Sequence, residues 1–117
     1  MKSNQDCLFC QVAAGRVPST RVYEDDQLLA FADVRPKAPV HLLVIPKKHA
    51  LASVADMKVD QQPLIGQMVW RAKCLAEEKK IAAAGYRLIF NCRSHGGQEI
   101  DHIHLHVIGG KALGPMA

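Results

Sequence analysis

The sequence predicts an α+β domain built on one five-stranded antiparallel sheet, with one short and one long helix on one of its faces. Three observations predict this fold class. Five segments have the apolar or alternating pattern of strands, and two have the spacing of amphipathic helices. Strands and helices do not alternate regularly along the chain, and most links are short, which favours antiparallel pairing. The 117 residues fit a single domain over 1–117.

The N-terminal part of the chain predicts a short helix followed by a hairpin. Asp6 can cap a helix over residues 7–14, which Gly15 would close at its C-terminal end. Two strands are predicted over 21–24 and 28–34, because both segments are rich in strand-forming residues and a polar turn separates them.

The middle of the chain predicts a third strand, the main helix and a fourth strand. The third strand covers 41–45 and stops at Pro46, because proline lacks the N–H that a sheet ladder needs. Asp60 is the predicted cap of the long helix, and Pro63 is tolerated in its first turn. The fourth strand is predicted over 86–91. The apolar stripe of the long helix comprises Leu64, Ile65, Met68, Val69, Ala72, Leu75 and Ala76.

The fifth predicted strand contains histidine at every second position of 102–107. Successive side chains of a strand point to opposite faces, so three imidazoles share one face and three aliphatic side chains face the core. Alternate residues lie about 6.6 Å apart, so the outer histidines are about 13 Å apart and cannot easily share one metal ion. At least one imidazole therefore remains for work as a nucleophile, general acid or base, or phosphate contact. The histidines are His102, His104 and His106.

Composition narrows the classes of function. Apolar residues make up 49% of the chain and charged residues 22%. No apolar run approaches the length of a membrane span, and the first residues have no signal-peptide core, so we expect a cytoplasmic protein without a membrane span. The net charge of +4 favours an anionic ligand, but the basic residues are scattered, which argues against a nucleic-acid partner. The four cysteines fit thiols or metal ligands better than disulfides.

Two further motifs suggest ligand contacts. Cys7 and Cys10 form a C-x-x-C pair, which could be two buried thiols or half of a tetrahedral zinc site completed by His49 and His102. The segment from Asn91 through Gly96-Gly97-Gln98 forms a glycine-containing loop before the histidine strand, and its backbone N–H groups could approach an anion closely.

These residues together resemble the histidine triad superfamily, and its Hint branch in particular. The His-x-His-x-His pattern is the signature of the superfamily. The flanking segments that resemble the Hint branch are 31–34, 37–47, 85–91, 95–98 and the ending 113–116, which is similar to bacterial members.

The resemblance implies a purine nucleoside phosphoramidate hydrolase, with aminoacyl adenylates as related substrates, and a homodimer whose two sheets join into one. It implies that His104 is the nucleophile, which forms a covalent nucleotidyl-histidine that water then cleaves. His106 matches the histidine on the phosphate and leaving-group side. Asn91, Gly97 and Gln98 match the phosphate loop.

The resemblance also implies a nucleoside pocket and a structural metal. Phe31, Asp33 and Val34 match the pocket, where Asp33 binds the ribose hydroxyls, and Leu8 and Phe9 match further wall facing the base. The zinc ligands of metal-bearing relatives match Cys7, Cys10, His49 and His102, which implies a structural Zn²⁺ that braces the catalytic strand.

The chain departs from the family pattern at two positions beside the histidines. Asp101 stands where relatives often have tyrosine, and Glu99 stands where some have a serine that touches the phosphate. A carboxylate at Glu99 could repel the substrate or carry a proton, so Glu99 is a candidate binding residue that bears on the choice of leaving group.

Two alternatives remain open at this point. The first is a dinucleoside polyphosphate hydrolase or nucleotidyl transferase of the same superfamily, which would share the chemistry but use another leaving group. The second is a nucleotide- or zinc-binding protein whose histidines do not turn over a substrate.

Overall fold

The structure, a computed structural model, describes residues 7–116 and confirms the predicted α+β fold. Its five-stranded sheet has the order β1-β2-β3-β5-β4, and every neighbouring pair is antiparallel. Within these residues no helix is long and apolar enough to cross a membrane. The elements are α1 (Leu8–Ala13), β1 (Arg21–Glu24), β2 (Leu28–Ala32), β3 (Val40–Pro46), α2 (Gln62–Glu78), β4 (Tyr86–Ile89) and β5 (Leu105–Gly109), with short 3₁₀ turns at Val54–Asp56, Val59–Gln61 and Ser94–Gly96.

The two helices cover opposite faces of the sheet, so the prediction that they share one face is wrong. Helix α2 buries Met68, Ala72, Leu75 and Ala76 against one face, together with Leu42 and Val44 of β3. Helix α1 packs on the other face against Leu43 and Ile45. The physical reason is that β2 and β3 are continuous apolar runs, and a strand that is apolar on both sides needs cover on both faces.

The register places the histidines on the face of α1. Residues directly opposite each other in an antiparallel pair share a face. Leu43 is opposite Phe31 on one side and His106 on the other, whereas Leu42 is opposite Val107. The catalytic candidates therefore lie on the α1 side, and the aliphatic residues between them lie in the core with α2.

Both helix starts differ from the sequence-based expectation. In α1 the N-cap is Cys7, whose sulfur accepts a hydrogen bond from the Cys10 N–H, while Asp6 lies outside the described residues. Helix α2 begins at Gln62 after a 3₁₀ turn that contains Asp60, so Asp60 does not cap it, although Pro63 does lie in its first turn. Val69 is 40% exposed, so it does not belong to the buried face of the helix as predicted.

Three predicted strands are shorter in the structure. Strand β2 ends at Ala32 because the Asp33 carboxylate accepts a hydrogen bond from the Arg35 N–H and turns the chain. Strand β4 ends at Ile89, and β5 begins only at Leu105. The residues before β5 are held differently, because the Ile103 N–H donates to the Leu51 carbonyl rather than to a neighbouring strand.

The homodimer with joined sheets stays a prediction. Strand β4 is the edge of the sheet next to the histidine strand, and its four residues are half-buried. An edge strand at this position offers unpaired backbone groups that a second copy could extend.

Gly109 is required by close packing at the end of β5. A Cβ added there would lie 2.8 Å from Ile81 Cδ1 and 3.2 Å from Tyr86 Cβ. We expect Gly109→Ala to lower the free energy of unfolding by about 1–3 kcal/mol, because overpacked cores are strained. Ile81→Val removes the nearest methyl group and alone should cost about 0.5–1.5 kcal/mol.

Urea denaturation of the two single variants and the double variant tests this packing. The double variant should lose less stability than the sum of the two single variants, because Ile81→Val makes room for the new methyl group. Simple additivity of the two losses would show that Ile81 is not what excludes a side chain at Gly109.

Candidate active site and metal cluster

A cavity of about 640 Å³ lies between α1 and the histidine side of the sheet. Most of the residues that the sequence analysis assigned to substrate binding or catalysis line this cavity together, although they come from five separate segments of the chain. The predicted residues in its wall are Leu8, Phe9, Phe31, Asp33, Val34, Asn91, Gly97, Glu99, His104 and His106.

His104 is held with one ring nitrogen as donor and the other as acceptor. Its Nδ1 lies 2.8 Å from the backbone carbonyl of His102, and a carbonyl can only accept, so Nδ1 carries the proton. In the neutral ring Nε2 then carries the lone pair. The ring is buried and packs edge to face with Phe9, with centroids 5.0 Å apart. His104 can therefore act as a nucleophile through Nε2.

His106 has the opposite tautomer, because a chain of hydrogen bonds fixes it. The Lys37 backbone N–H donates to Nδ1 of His41 at 3.0 Å, so the proton of neutral His41 is on Nε2. That Nε2 lies 2.9 Å from Nδ1 of His106, which must accept, so His106 carries its own proton on Nε2. The cavity thus contains one imidazole that presents a lone pair and one that presents a proton.

His41 is the functional candidate that sequence reasoning missed. It is buried and connects the backbone at Lys37 to His106, and its Nε2 also lies 3.4 Å from a carboxylate oxygen of Asp33. The sequence does contain a feature that could have indicated His41. It is a histidine inside an otherwise apolar strand, and a buried histidine needs a hydrogen-bond partner.

Burial keeps the imidazoles of this group neutral at pH 7. Desolvation is the main cause that lowers the pKa of His106, to about 4, and neighbouring His104 and His41 lower it further. Burial likewise lowers the pKa of His41, although the Asp33 carboxylate opposes the shift. Burial also lowers the pKa of His104, whereas the hydrogen bond to the His102 carbonyl and the nearby carboxylates act to raise it. Neutral rings suit attack on phosphorus, because a protonated imidazole has no lone pair to offer.

The loop before the histidines is fixed by side-chain hydrogen bonds. Gln98 donates to the carbonyls of Ala52 and Ile100 and accepts from the Arg93 N–H, and it is not among the residues that line the cavity. Its predicted role in substrate binding stays a prediction. Asn91 donates to the Gly96 carbonyl at 2.7 Å. The loop is therefore ordered by contacts within the protein before any anion binds.

Two residues of this loop have left-handed backbone conformations. Gly97 has φ of 79°, which glycine adopts without strain, whereas Arg93 has φ of 60° and carries a side chain. The Arg93 guanidinium binds the Asp56 carboxylate at 2.9 Å and so ties the loop to the connection before α2.

The four predicted metal ligands lie together behind the cavity, as the sequence analysis expected. The sulfur and nitrogen atoms of Cys7, Cys10, His49 and His102 all lie within 4.8 Å of one another. Nδ1 of His102 lies 3.2 Å from the Cys7 sulfur and 3.5 Å from the Cys10 sulfur, and Nδ1 of His49 lies 3.6 Å from the Cys10 sulfur. Ligand atoms of tetrahedral zinc lie about 3.3–3.8 Å apart, so the four donors fit this ion.

The protonation of the cluster also fits a metal. Nε2 of His102 donates to the Pro46 carbonyl at 2.8 Å, so its Nδ1 directs a lone pair at the two sulfurs. Burial lowers the pKa of His102 to about 4, which keeps the ring neutral. Burial, and then the hydrogen bond with Cys7, raise the pKa of Cys10 to about 11, so a cation would have to displace protons from the thiols.

Comparison with known proteins places this architecture in a family. The family model described as "Scavenger mRNA decapping enzyme C-term binding" matches residues 6–116. The chain is 42% identical to the purine nucleoside phosphoramidase of Escherichia coli K12 over 112 residues, which are 96% of this chain and 93% of that protein. It is 50% identical to a HIT family hydrolase of Legionella pneumophila, with a TM-score of 0.89 over 92% of this chain and 95% of the other.

The chain belongs to the histidine triad superfamily. It is a Hint-like member, as the motif and its flanking segments predicted. A zinc-bound histidine triad family protein from Mycobacterium smegmatis has the same fold with a TM-score of 0.77, at 30% identity over 93% of this chain and 78% of the other.

The lowered pKa of His106 makes the stability of this histidine triad protein depend on pH. The unfolded chain takes up a proton near the ordinary histidine pKa of about 6.5, whereas the folded state resists protonation down to a pKa of about 4. The unfolded state therefore binds more protons in this window, and the free energy of unfolding falls as the pH is lowered, by at most about 1.4 kcal/mol per pH unit from this residue.

Denaturation of wild type and His106→Gln at pH 8, 7, 6, 5 and 4.5, on samples of equal metal content, isolates this contribution. The two proteins should differ little in slope above pH 7, and the variant should lose stability less steeply below pH 6. Parallel slopes over the whole range would contradict the neutral state of the half-buried His106.

Proposed function

We propose that this histidine triad protein hydrolyses purine nucleoside 5′-phosphoramidates to a nucleoside monophosphate and an amine. The observation that carries the proposal is the pair of opposed tautomers in one cavity, a lone pair at His104 Nε2 and a proton at His106 Nε2. The similarity to the Escherichia coli purine nucleoside phosphoramidase supports the substrate class.

In the first step, Nε2 of His104 attacks the phosphorus as the bond from phosphorus to nitrogen breaks. The His104 ring becomes positively charged. Its Nδ1–H keeps its hydrogen bond to the His102 carbonyl, and this bond stabilises the charge. His106 donates its Nε2–H toward the phosphate and the leaving group. His106 gives only a hydrogen bond and keeps its proton, because a neutral imidazole that lost it would become an anion. The departing amine takes up one proton from solvent, and water returns one proton to solvent when it cleaves the nucleotidyl-histidine in the second step, so the cycle is balanced.

The remaining cavity residues position the nucleoside. Asp33 presents a carboxylate that can accept hydrogen bonds from both ribose hydroxyls. Phe9 and Phe31 pack edge to face at 5.7 Å and, with Leu8 and Val34, form an apolar wall for the base. Leu8 is 47% exposed and Val34 is 88% exposed, which is the exposure expected for side chains that a ligand covers.

The assignment of His104 as the nucleophile predicts a large loss of catalytic activity with little change in nucleotide affinity. His104→Ala should lower kcat/KM for adenosine 5′-phosphoramidate by about 10³-fold or more, because no other group forms the covalent intermediate. Affinity for AMP should change little. Acid quenching during turnover should trap a nucleotidyl-protein in the wild type and none in the variant.

The exposed His95, which does not line the cavity, provides a matched histidine control. His95→Ala should retain activity within about threefold, as surface substitutions usually do. Labelled protein in His104→Ala would contradict the assignment of the nucleophile. Faster turnover of a dinucleoside polyphosphate than of the phosphoramidate would instead favour the related hydrolase or transferase activity.

We further propose that Cys7, Cys10, His49 and His102 hold a structural zinc ion. The metal would tie α1 to the segment that leads into β5, and it would leave no open position for chemistry, because these four donors are enough to complete a tetrahedral set. The zinc-bound relative from Mycobacterium smegmatis supports the choice of metal.

The zinc proposal predicts one metal ion per chain in protein purified without chelators. Cys10→Ser should lose most of that metal and lower the melting temperature, because metal affinity contributes directly to folding free energy. Cys92→Ser, which changes a cysteine outside the cluster, should keep both metal content and melting temperature. Equal zinc content in the two variants, measured by mass spectrometry, would rule out this cluster as the site.

A further inference from the structure

Glu99 lines the cavity with a carboxylate that has no partner within the protein. The residue is exposed, and among residues 7–116 its side chain makes neither an ion pair nor a hydrogen bond. Burial lowers the pKa of His104, and the Glu99 carboxylate is one of the groups that oppose this shift, so its charge acts on the ring of the proposed nucleophile. The reacting part of the cavity therefore contains a negative charge that the proposed mechanism does not use.

The backbone on both sides of Glu99 is held in place. The side-chain amide of Gln98 donates to the backbone carbonyls of Ala52 and Ile100. The side chain of Ile100 packs against the apolar cluster that α1 forms on the sheet. Only the side-chain torsions of Glu99 therefore remain to move its carboxylate, so the negative charge stays close to the reacting histidine.

The charged residues of the cavity come from two loops at opposite ends of the sheet. The loop between β2 and β3 supplies Asp33, Arg35 and Lys37, and the loop between β4 and β5 supplies Glu99. Strands β3 and β5 are antiparallel neighbours, so the loop that enters β3 and the loop that enters β5 lie at opposite ends of the sheet. One end of the cavity therefore has an excess positive charge, and the other end has the negative charge of Glu99.

A bound phosphoramidate would place its two parts in these different charge environments. In the proposed mode of binding, the nucleoside lies at the end of Asp33 and the apolar wall. The ring of His104 is buried, and in-line attack by its Nε2 expels the amine on the far side of phosphorus, away from the nucleophile and toward the open side of the cavity. With the nucleoside at one end, the amine departs at the other end, where Glu99 is the charged residue.

We propose that Glu99 selects phosphoramidates whose leaving amine carries a second, protonated amino group, as a diamine does. This inference rests on the proposed function and names its substrate class. A carboxylate at this place attracts a cationic leaving group and repels an anionic one. The chemical step is unchanged, because the bond from phosphorus to nitrogen breaks, the departing nitrogen takes its proton from solvent, and the second amino group stays protonated throughout.

Three adenosine 5′-phosphoramidates of similar size test the proposal, with aminopropyl, hydroxypropyl or carboxyethyl groups on the nitrogen. At low salt the wild type should rank them in that order by kcat/KM, with a ratio of about tenfold between the first and the last, because each step changes the leaving group by one charge near an exposed carboxylate. High salt should shrink this ratio, since exposed charges are screened. Glu99→Gln should reduce the ratio to about threefold or less, and Glu99→Lys should reverse the order.

Glu78→Gln is the matched control for the change of charge. Glu78 is exposed at the end of α2, on the face of the sheet away from the cavity, so its substitution removes the same charge without touching the site. This variant should keep the wild-type ratio. A ratio that is unaffected by Glu99→Gln would overturn the proposal. So would an equal loss of rate for all three compounds in Glu99→Gln, because it would show that the carboxylate assists the chemistry without selecting the leaving group.

Unsubstituted adenosine 5′-phosphoramidate separates this inference from the proposed function, because its leaving group has no second charge. Calorimetric affinities of His104→Ala for the three charged and neutral compounds report the selection without turnover. No hydrolysis by the wild type, with tighter binding of the aminopropyl than of the carboxyethyl compound by His104→Ala, would remove the activity and leave the charge selection standing. Normal hydrolysis with equal kcat/KM for the three compounds would do the reverse. A protein that neither binds nor hydrolyses any of them would overturn both.

Discussion

The structure depends on one constraint, which is that each imidazole ring in a row removed from water must have a hydrogen-bond partner within the protein. A buried ring nitrogen without a partner is costly, so each histidine of the row is tied to a defined atom. His102 donates to Pro46, His104 donates to the backbone of His102, and His41 connects Lys37 to His106. These bonds fix the tautomers, and the proposed chemical roles follow from the tautomers, so the same hydrogen bonds that satisfy the buried rings would also set their reactivity.

Helix α1 is what makes that burial possible, and it serves two sites at once. Its first turn places Cys7 and Cys10 on the metal cluster, while the residues between them, Leu8 and Phe9, face the cavity. Phe9 lies against both His102 and His104, with ring centroids 5.9 Å and 5.0 Å away. A short helix of six residues has little stability of its own, so the contacts of Cys7 and Cys10 with His102 and His49 and the aromatic contacts of Phe9 together hold it in place.

The sequence predicted the elements better than it predicted how they assemble. Strand patterns located all five strands, and the histidine alternation located His104 and His106, which line the cavity, because both depend on local periodicity. The placement of α1 and α2 on opposite faces could not be derived from either helix, since it follows from the two-sided apolar character of β2 and β3. The contact of His41 with His106 depends on the register of β3 against β5, and that register leaves no motif in the chain.

His102 serves the two sites through two chemically independent parts. Its imidazole faces the metal cluster, whereas its backbone carbonyl receives the proton of His104. Every amino acid supplies that carbonyl, so a change of residue at this position removes a proposed metal ligand without removing the acceptor that orients the proposed nucleophile. In evolutionary terms the proposed metal site and the proposed chemistry are separable, and a lineage that lost the metal ligands would still keep the hydrogen bond that orients His104.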